Sequence, residues 1–277
     1  MKRVYVSSII RNHDYGFGRL YVIDYDTMKI VYKKHIDNNQ YRIRGMAFHN
    51  GELFMVNAIN GLMIFDRSNL RFGPITRYKQ IEHAHLLYSY MGQLWITSTG
   101  NDRIVKIRDF KLDDVVYVGN HKYMNKDTRH LNSITWNNGN EYHVYNKTRS
   151  VFNYTTKEVV VKGLWGLHDI AFVNDNMFIV NASRENRSCL CDINQGKVIK
   201  DILVTETVKN SPPEAQLGFV RGLAISKRYK KIFIGSAPAN IHIFDIDTLN
   251  KVNCFEISND NEYESIYDIC LDEDDWK

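Results

Sequence analysis

Five short runs of the chain open on a residue able to bind or move charge and continue into apolar residues. They are Arg44-Gly45-Met46-Ala47-Phe48, Asn132-Ser133-Ile134-Thr135-Trp136, His168-Asp169-Ile170-Ala171-Phe172, Arg221-Gly222-Leu223-Ala224-Ile225 and Tyr267-Asp268-Ile269-Cys270-Leu271. A weaker copy is His83-Ala84-His85-Leu86-Leu87-Tyr88. Aligned on their last apolar residue, the leading positions read Arg44, Ala84, Asn132, His168, Arg221 and Tyr267, with His83 and His85 flanking Ala84. Two guanidinium groups placed together are unfavourable unless an anion lies between them. The guanidinium fork also matches a carboxylate or phosphate with two bonds at once. Arg44 and Arg221 are therefore read as anion ligands, Asn132 as a neutral donor, and His168 and Tyr267 as groups that move protons. His85, Arg184 and His130 complete the expected ligand contacts. This set suits removal of the proton beside the carboxyl of a sugar acid, with expulsion of the neighbouring oxygen.

Such residues meet only if their runs converge. Tyr and Phe are abundant (17 and 13), Pro is scarce (4), and the repeating unit is a short apolar run, a turn and another run, the pattern of an all-β fold. The unit from Arg221 has strands at Arg221–Ile225, Lys231–Gly235, Ile241–Ile246 and Lys251–Ile257, four antiparallel strands of one propeller blade. The units from Arg44, His85, Asn132 and His168 follow the same grammar, at spacings in the range of propeller repeats. The N-terminus supplies three strands, Val4–Ile10, Arg19–Tyr25 and Lys29–Lys34, and the C-terminus one more, Tyr267–Leu271. Joining them completes a sixth blade and removes two sheet edges. The expectation is one domain over 1–277, a six-bladed propeller closed by its C-terminal strand; a β-sandwich is the alternative. The longest irregular stretches, Asn120–Arg129 and Thr205–Phe219, should border the channel mouth.

In a propeller the leading residues would line the axis, and Gly45, Ser133, Asp169, Gly222 and Asp268 would face between blades. A purely structural account explains the aspartates as ties to neighbouring backbone. It explains two axial arginines less well. His83 and His85 share a strand face, but without neighbouring carboxylates they are not read as a metal site, and no cofactor is expected.

The chain has 277 residues, 44% hydrophobic and 25% charged, with a formal charge of +4. Lys and Arg are interleaved with Asp and Glu, so no nucleic-acid footprint stands out. The four cysteines form no C-x-x-C pair, and Cys189 and Cys191 fall on one strand face as packed thiols. No window approaches a membrane span and the N-terminus enters a strand at once, so a cytoplasmic protein with no membrane partner is expected. Gly16-Phe17-Gly18 lacks the third glycine of a dinucleotide fingerprint.

The first-strand pattern resembles the six-bladed propellers of the senescence-marker-protein and gluconolactonase group. The resemblance implies a divalent cation held at the positions of Arg44, Asn132, His168 and Arg221. Only Asn132 matches that ligand set, so metal-dependent lactone hydrolysis stands as an alternative. Arg129-His130-Leu131-Asn132, Arg184-Glu185-Asn186-Arg187, Phe219-Val220-Arg221-Gly222-Leu223-Ala224 and Ile266-Tyr267-Asp268 are similar to a family of uncharacterised bacterial propellers. That resemblance implies the fold and no agreed activity. The expected partner is a small anionic or carbohydrate ligand, with a protein-binding scaffold as the rival.

Overall fold

The computed structural model describes residues 2–10, 17–36, 42–119, 126–204, 219–257 and 264–272. Parts of the two long stretches (120–125 and 205–218), residues 13–16 and the tail 273–277 lie outside the described residues.

Six antiparallel sheets stand in a ring. Their innermost strands, in ring order, are Glu264–Leu271, Ile43–His49, Ala84–Tyr90, Leu131–Asn137, Leu167–Phe172 and Leu223–Ser226. Each lies against the next, and the last returns to the first. The blades are numbered here from the N-terminus. In the first, Glu264–Leu271 pairs antiparallel with Arg3–Ile10, so the two ends of the chain share one sheet. In the second, the outer strand is broken into Arg71–Phe72 and Thr76–Arg77, both paired to Gly61–Asp66. Pro74 lies in the gap, where a residue without an N–H cannot extend the ladder.

The apolar side chains form six clusters, one at each junction between neighbouring blades. Tyr5, Leu20, Phe48 and Phe65, for example, fill the first junction, and Tyr142, Phe172 and Phe178 that between the fourth and fifth. A blade buries both faces of its middle strands this way, which is why those strands read as continuous apolar runs. Cys189 and Cys191 are fully buried in the fourth–fifth junction, and burial pushes the Cys189 thiol up to about 12.

Polar ties cross the same junctions. Asp268 Oδ2 accepts the Met46 amide of the second blade at 2.7 Å, and Asp169 Oδ2 accepts the Gly222 amide of the sixth at 2.8 Å. Gly45 is needed at its place, because a Cβ there would lie 2.3 Å from the Leu87 nitrogen of the third blade. The closing strand is held by Glu264, whose buried carboxylate accepts hydrogen bonds from Ser8, from Arg19 at 2.6 Å and from Tyr21 at 2.8 Å. Among the described residues no helix is long and apolar enough to cross a membrane.

Candidate functional site

A cavity of about 640 Å³ opens at the end of the ring where the innermost strands begin, a size typical of small-ligand sites. Arg44, His85, His168, Arg221 and Tyr267 line it, from five different blades, and His130 and Arg184 line it as well.

The local cause of this convergence is a β-bulge. Ile43 and Gly45 pair with the consecutive residues Asn57 and Val56, which leaves Arg44 as the extra residue. Asn132 and Tyr267 are extra residues in the same way. His85 and Leu86 together face Thr97, and His168 and Asp169 together face Asn181. A bulge sets two residues opposite one and re-aims a side chain out of the regular alternation. The bulges also correct the alignment of the third blade. Ala84 pairs with Ser98 just before its bulge, as Ile43 does with Asn57, and it is buried in the junction core. His85 holds the ring place.

Asn132 occupies its ring place without lining the cavity. Its Nδ2 donates to the Leu167 carbonyl of the fifth blade at 2.6 Å, so the side chain expected as an anion ligand serves as a tie between blades. Its Oδ1 is buried without a partner among the described residues.

Around His85 the geometry is specific. Arg221 Nη2 lies 2.9 Å from His85 Nε2 and donates to Tyr267 Oη at 2.8 Å. The Arg221 guanidinium also stacks 3.8 Å from the centre of the Tyr267 ring. On the other side Arg44 Nη1 lies 3.3 Å from His85 Nδ1 and from the Ala84 carbonyl. A guanidinium only donates, and a neutral imidazole accepts at one nitrogen alone. In either tautomer, one arginine therefore faces an N–H of His85. Arg44 Nε is, in addition, buried without a hydrogen-bond partner among the described residues.

Electrostatics point the same way. Burial first, then the Arg221 and Arg44 charges, hold His85 well below its ordinary value. Burial and the Arg44 charge pull Arg42 down as well. Among the described residues the cavity lining includes six cationic side chains, Arg42, Arg44, Lys147, Arg149, Arg184 and Arg221, and one carboxylate, Asp127. That carboxylate is already engaged by His130 at 2.7 Å and Lys147 at 3.0 Å.

His168 stacks on His85 with ring centres 6.0 Å apart and planes 13° apart. Its Nδ1 lies 2.7 Å from the Gly166 carbonyl and 2.8 Å from Ser183 Oγ, which itself donates to the Val220 carbonyl. A carbonyl can only accept, so Nδ1 carries the proton and Nε2 is the accepting nitrogen of the neutral ring. His130 is set by Asp102, whose buried carboxylate accepts the backbone amides of Thr128, Arg129 and His130 at 2.6, 2.8 and 3.0 Å.

The sequence reading missed Arg42, Arg149, Trp165, Ser183 and Asp102. Arg42 stands two residues before Arg44, a spacing that alternation could have flagged. The others lie in connections that carry no repeated signature. Among the described residues no group of three or more His, Cys, Asp or Glu side chains is placed to hold a metal ion.

The fold has solved counterparts. A protein of unknown function from Bacteroides caccae superposes with a TM-score of 0.67 at 13% identity, over 96% of this chain and 98% of its own. The WD40 propeller domain of Doa1 gives 0.59 at 11% identity, over 97% and 90%. The dihydro-heme d1 dehydrogenase NirN gives 0.54 at 8% identity, over 98% and 76%. No family model and no curated protein matches the sequence. At these identities the likeness is one of fold: the chain is an all-β six-bladed propeller that shares its architecture with a bacterial protein of unknown function.

Proposed function

We propose that the protein binds a small anionic metabolite, a sugar acid in the first instance, at the mouth of its channel and acts on it by acid–base chemistry. One observation carries the reading: His85 lies between two guanidinium groups, so that whichever way its proton sits, two donors face each other. An oxyanion on the cavity side of Arg44, His85 and Arg221 resolves that conflict, because both donors can then point at it. Arg44 and Arg221 neutralise the ligand's carboxylate, which acidifies the carbon-bound proton beside it. His168 Nε2 takes that proton. The bond from the next carbon to its oxygen breaks as the double bond forms, and the leaving oxygen receives the Tyr267 hydroxyl proton. Tyr267 Oη accepts from Arg221, which turns its own hydrogen away from that arginine.

The experiment is a melting-temperature panel of uronates, other sugar acids and phosphorylated sugars. A ligand at a hundred times its Kd should add about 2.7 kcal/mol of stability. No shift with any of them removes the reading and favours a protein-binding scaffold. With a ligand that gives turnover, His168→Gln should lower the rate by about 10²–10⁴-fold while the melting shift is kept. Turnover kept in that variant would exclude His168 as the base.

Binding should depend on pH with a definite sign. Unliganded His85 stays neutral well below its ordinary value of 6.5. A bound anion favours the imidazolium and raises its pKa, so binding takes up a proton. Affinity should thus rise as pH falls through the bound form's pKa, by up to about tenfold per pH unit. It should level off at high pH, where His85 is neutral in both forms. His85→Gln should flatten the profile; an unchanged slope would exclude His85 as the linked group.

A further inference from the structure

Arg221, which with Arg44 and His85 forms the floor of the cavity, is not the only arginine stacked on an aromatic ring there. Arg149, in the turn just before the third strand of the fourth blade (Ser150–Asn153), places its guanidinium 3.1 Å from the centre of the Trp165 ring. Both residues line the same cavity as Arg44 and Arg221. Trp165 is 45% exposed, which sets this pair at the rim. Arg184 stands beside it. The Trp165 amide donates to Glu185 Oε1 at 2.6 Å, and a Cβ on Gly166 would lie 2.6 Å from the Arg184 nitrogen. Gly166 has φ of +68°, so a glycine is what lets the Trp165 segment sit against the Arg184 turn.

A guanidinium stacked on a ring keeps its N–H edge available for an oxyanion, and the ring fixes its plane. Among the described residues neither Arg149 nor Arg184 forms an ion pair. The fourth and fifth blades thus present a second stacked guanidinium at the cavity, separate from Arg44 and Arg221 of the second and sixth.

We infer that Arg149, stacked on Trp165 with Arg184 alongside, is a second anion subsite, and that the natural ligand carries two separated anionic groups. This rests on the anion reading of the floor and narrows its substrate class. Two sources share the chemistry: a uronic acid oligomer, with one carboxylate on the floor and the next at the rim, or a sugar carrying two phosphates.

Titration calorimetry with two matched pairs of probes tests it: galacturonate against its α-1,4-linked dimer, and fructose 6-phosphate against fructose 1,6-bisphosphate. The wild-type protein should bind the two-anion member of one pair at least about tenfold more tightly, and which pair does so identifies the source. Arg149→Asn should remove that preference, so that the one-anion and two-anion members of the pair bind about equally. Asn is chosen because Arg149 has φ of 53°, which Asn tolerates better than most residues. Trp165→Leu, which removes the platform and keeps the charge, should reduce the preference severalfold. If single anions bind and no preference is seen, or if Arg149→Asn keeps it, the second subsite is overturned while the floor site stands. If none of the four probes binds, both fall.

Discussion

Replacing Arg221 with alanine should abolish the anion-induced rise in melting temperature. Arg221 is buried, donates to Tyr267, lies against His85 Nε2 and stacks on the Tyr267 ring. Truncating one partner of a buried, hydrogen-bonded charge contact typically loses about 2–5 kcal/mol. In affinity that is roughly 30-fold to several thousandfold, enough to erase a shift measured at ordinary ligand concentrations. Arg221→Lys should fare little better, since an ammonium neither forks around a carboxylate nor stacks on a phenol ring. The unliganded variant provides the control. With Arg221 gone, His85 faces one guanidinium instead of two, so its imidazole can accept from Arg44 without conflict. A melting shift that survives Arg221→Ala would show that the ligand sits elsewhere.

The second large effect concerns closure. Glu264→Gln should destabilise the protein by about 3–5 kcal/mol, the usual consequence of leaving one member of a buried ion pair behind. The carboxylate is fully buried and Arg19 is only 11% exposed, so solvent relieves little of the loss. For a chain of this size the melting temperature should fall by on the order of 10 °C. Because Glu264 and Tyr267 share the closing strand, ligand binding should weaken in the same variant. The combined replacement Ser8→Ala, Arg19→Met, Tyr21→Phe and Glu264→Leu should recover much of the stability, since apolar groups of similar volume often substitute for a whole buried ionic network, whereas removing the ion pair alone would strand the Ser8 and Tyr21 hydroxyls. A fall of no more than about 2 °C in Glu264→Gln, the size of a surface change, would contradict this role for Glu264.

The ring was legible in the sequence because its signal is local and repeated: a polar residue followed at once by an apolar strand. That was enough to bring Arg44, His168, Arg221 and Tyr267 to one cavity wall. It was not enough for the third blade, where alignment on the last apolar residue placed Ala84 in the ring. The register is set by the bulge opposite Thr97, and a bulge depends on the partner strand, which the first strand's own residues do not reveal. For Asn132, the contact was hidden for a related reason. Its position is right, but the Leu167 carbonyl of the next blade accepts its amide, a contact made across a gap of 35 residues. Glu264 and its partners Ser8, Arg19 and Tyr21 lie at opposite ends of the chain, and the rim pair Arg149 and Trp165 sits in connections whose residues differ from blade to blade. Sequence periodicity carries the strands; it does not carry contacts between connections.

The proposed anion site would also account for so polar a floor around His85. On the proposed reading, the two guanidinium groups set against the His85 imidazole are a local conflict of the kind kept where a ligand relieves it. The most direct measurement is crystallographic: soak crystals in selenate and collect at the selenium absorption edge. The account predicts an anomalous peak within hydrogen-bonding distance of His85 and Arg44, on the cavity side of Arg221, and its loss in Arg221→Ala crystals. Selenate found only on the outer surface of the ring, with the floor empty at concentrations that saturate the exposed lysines, would contradict it.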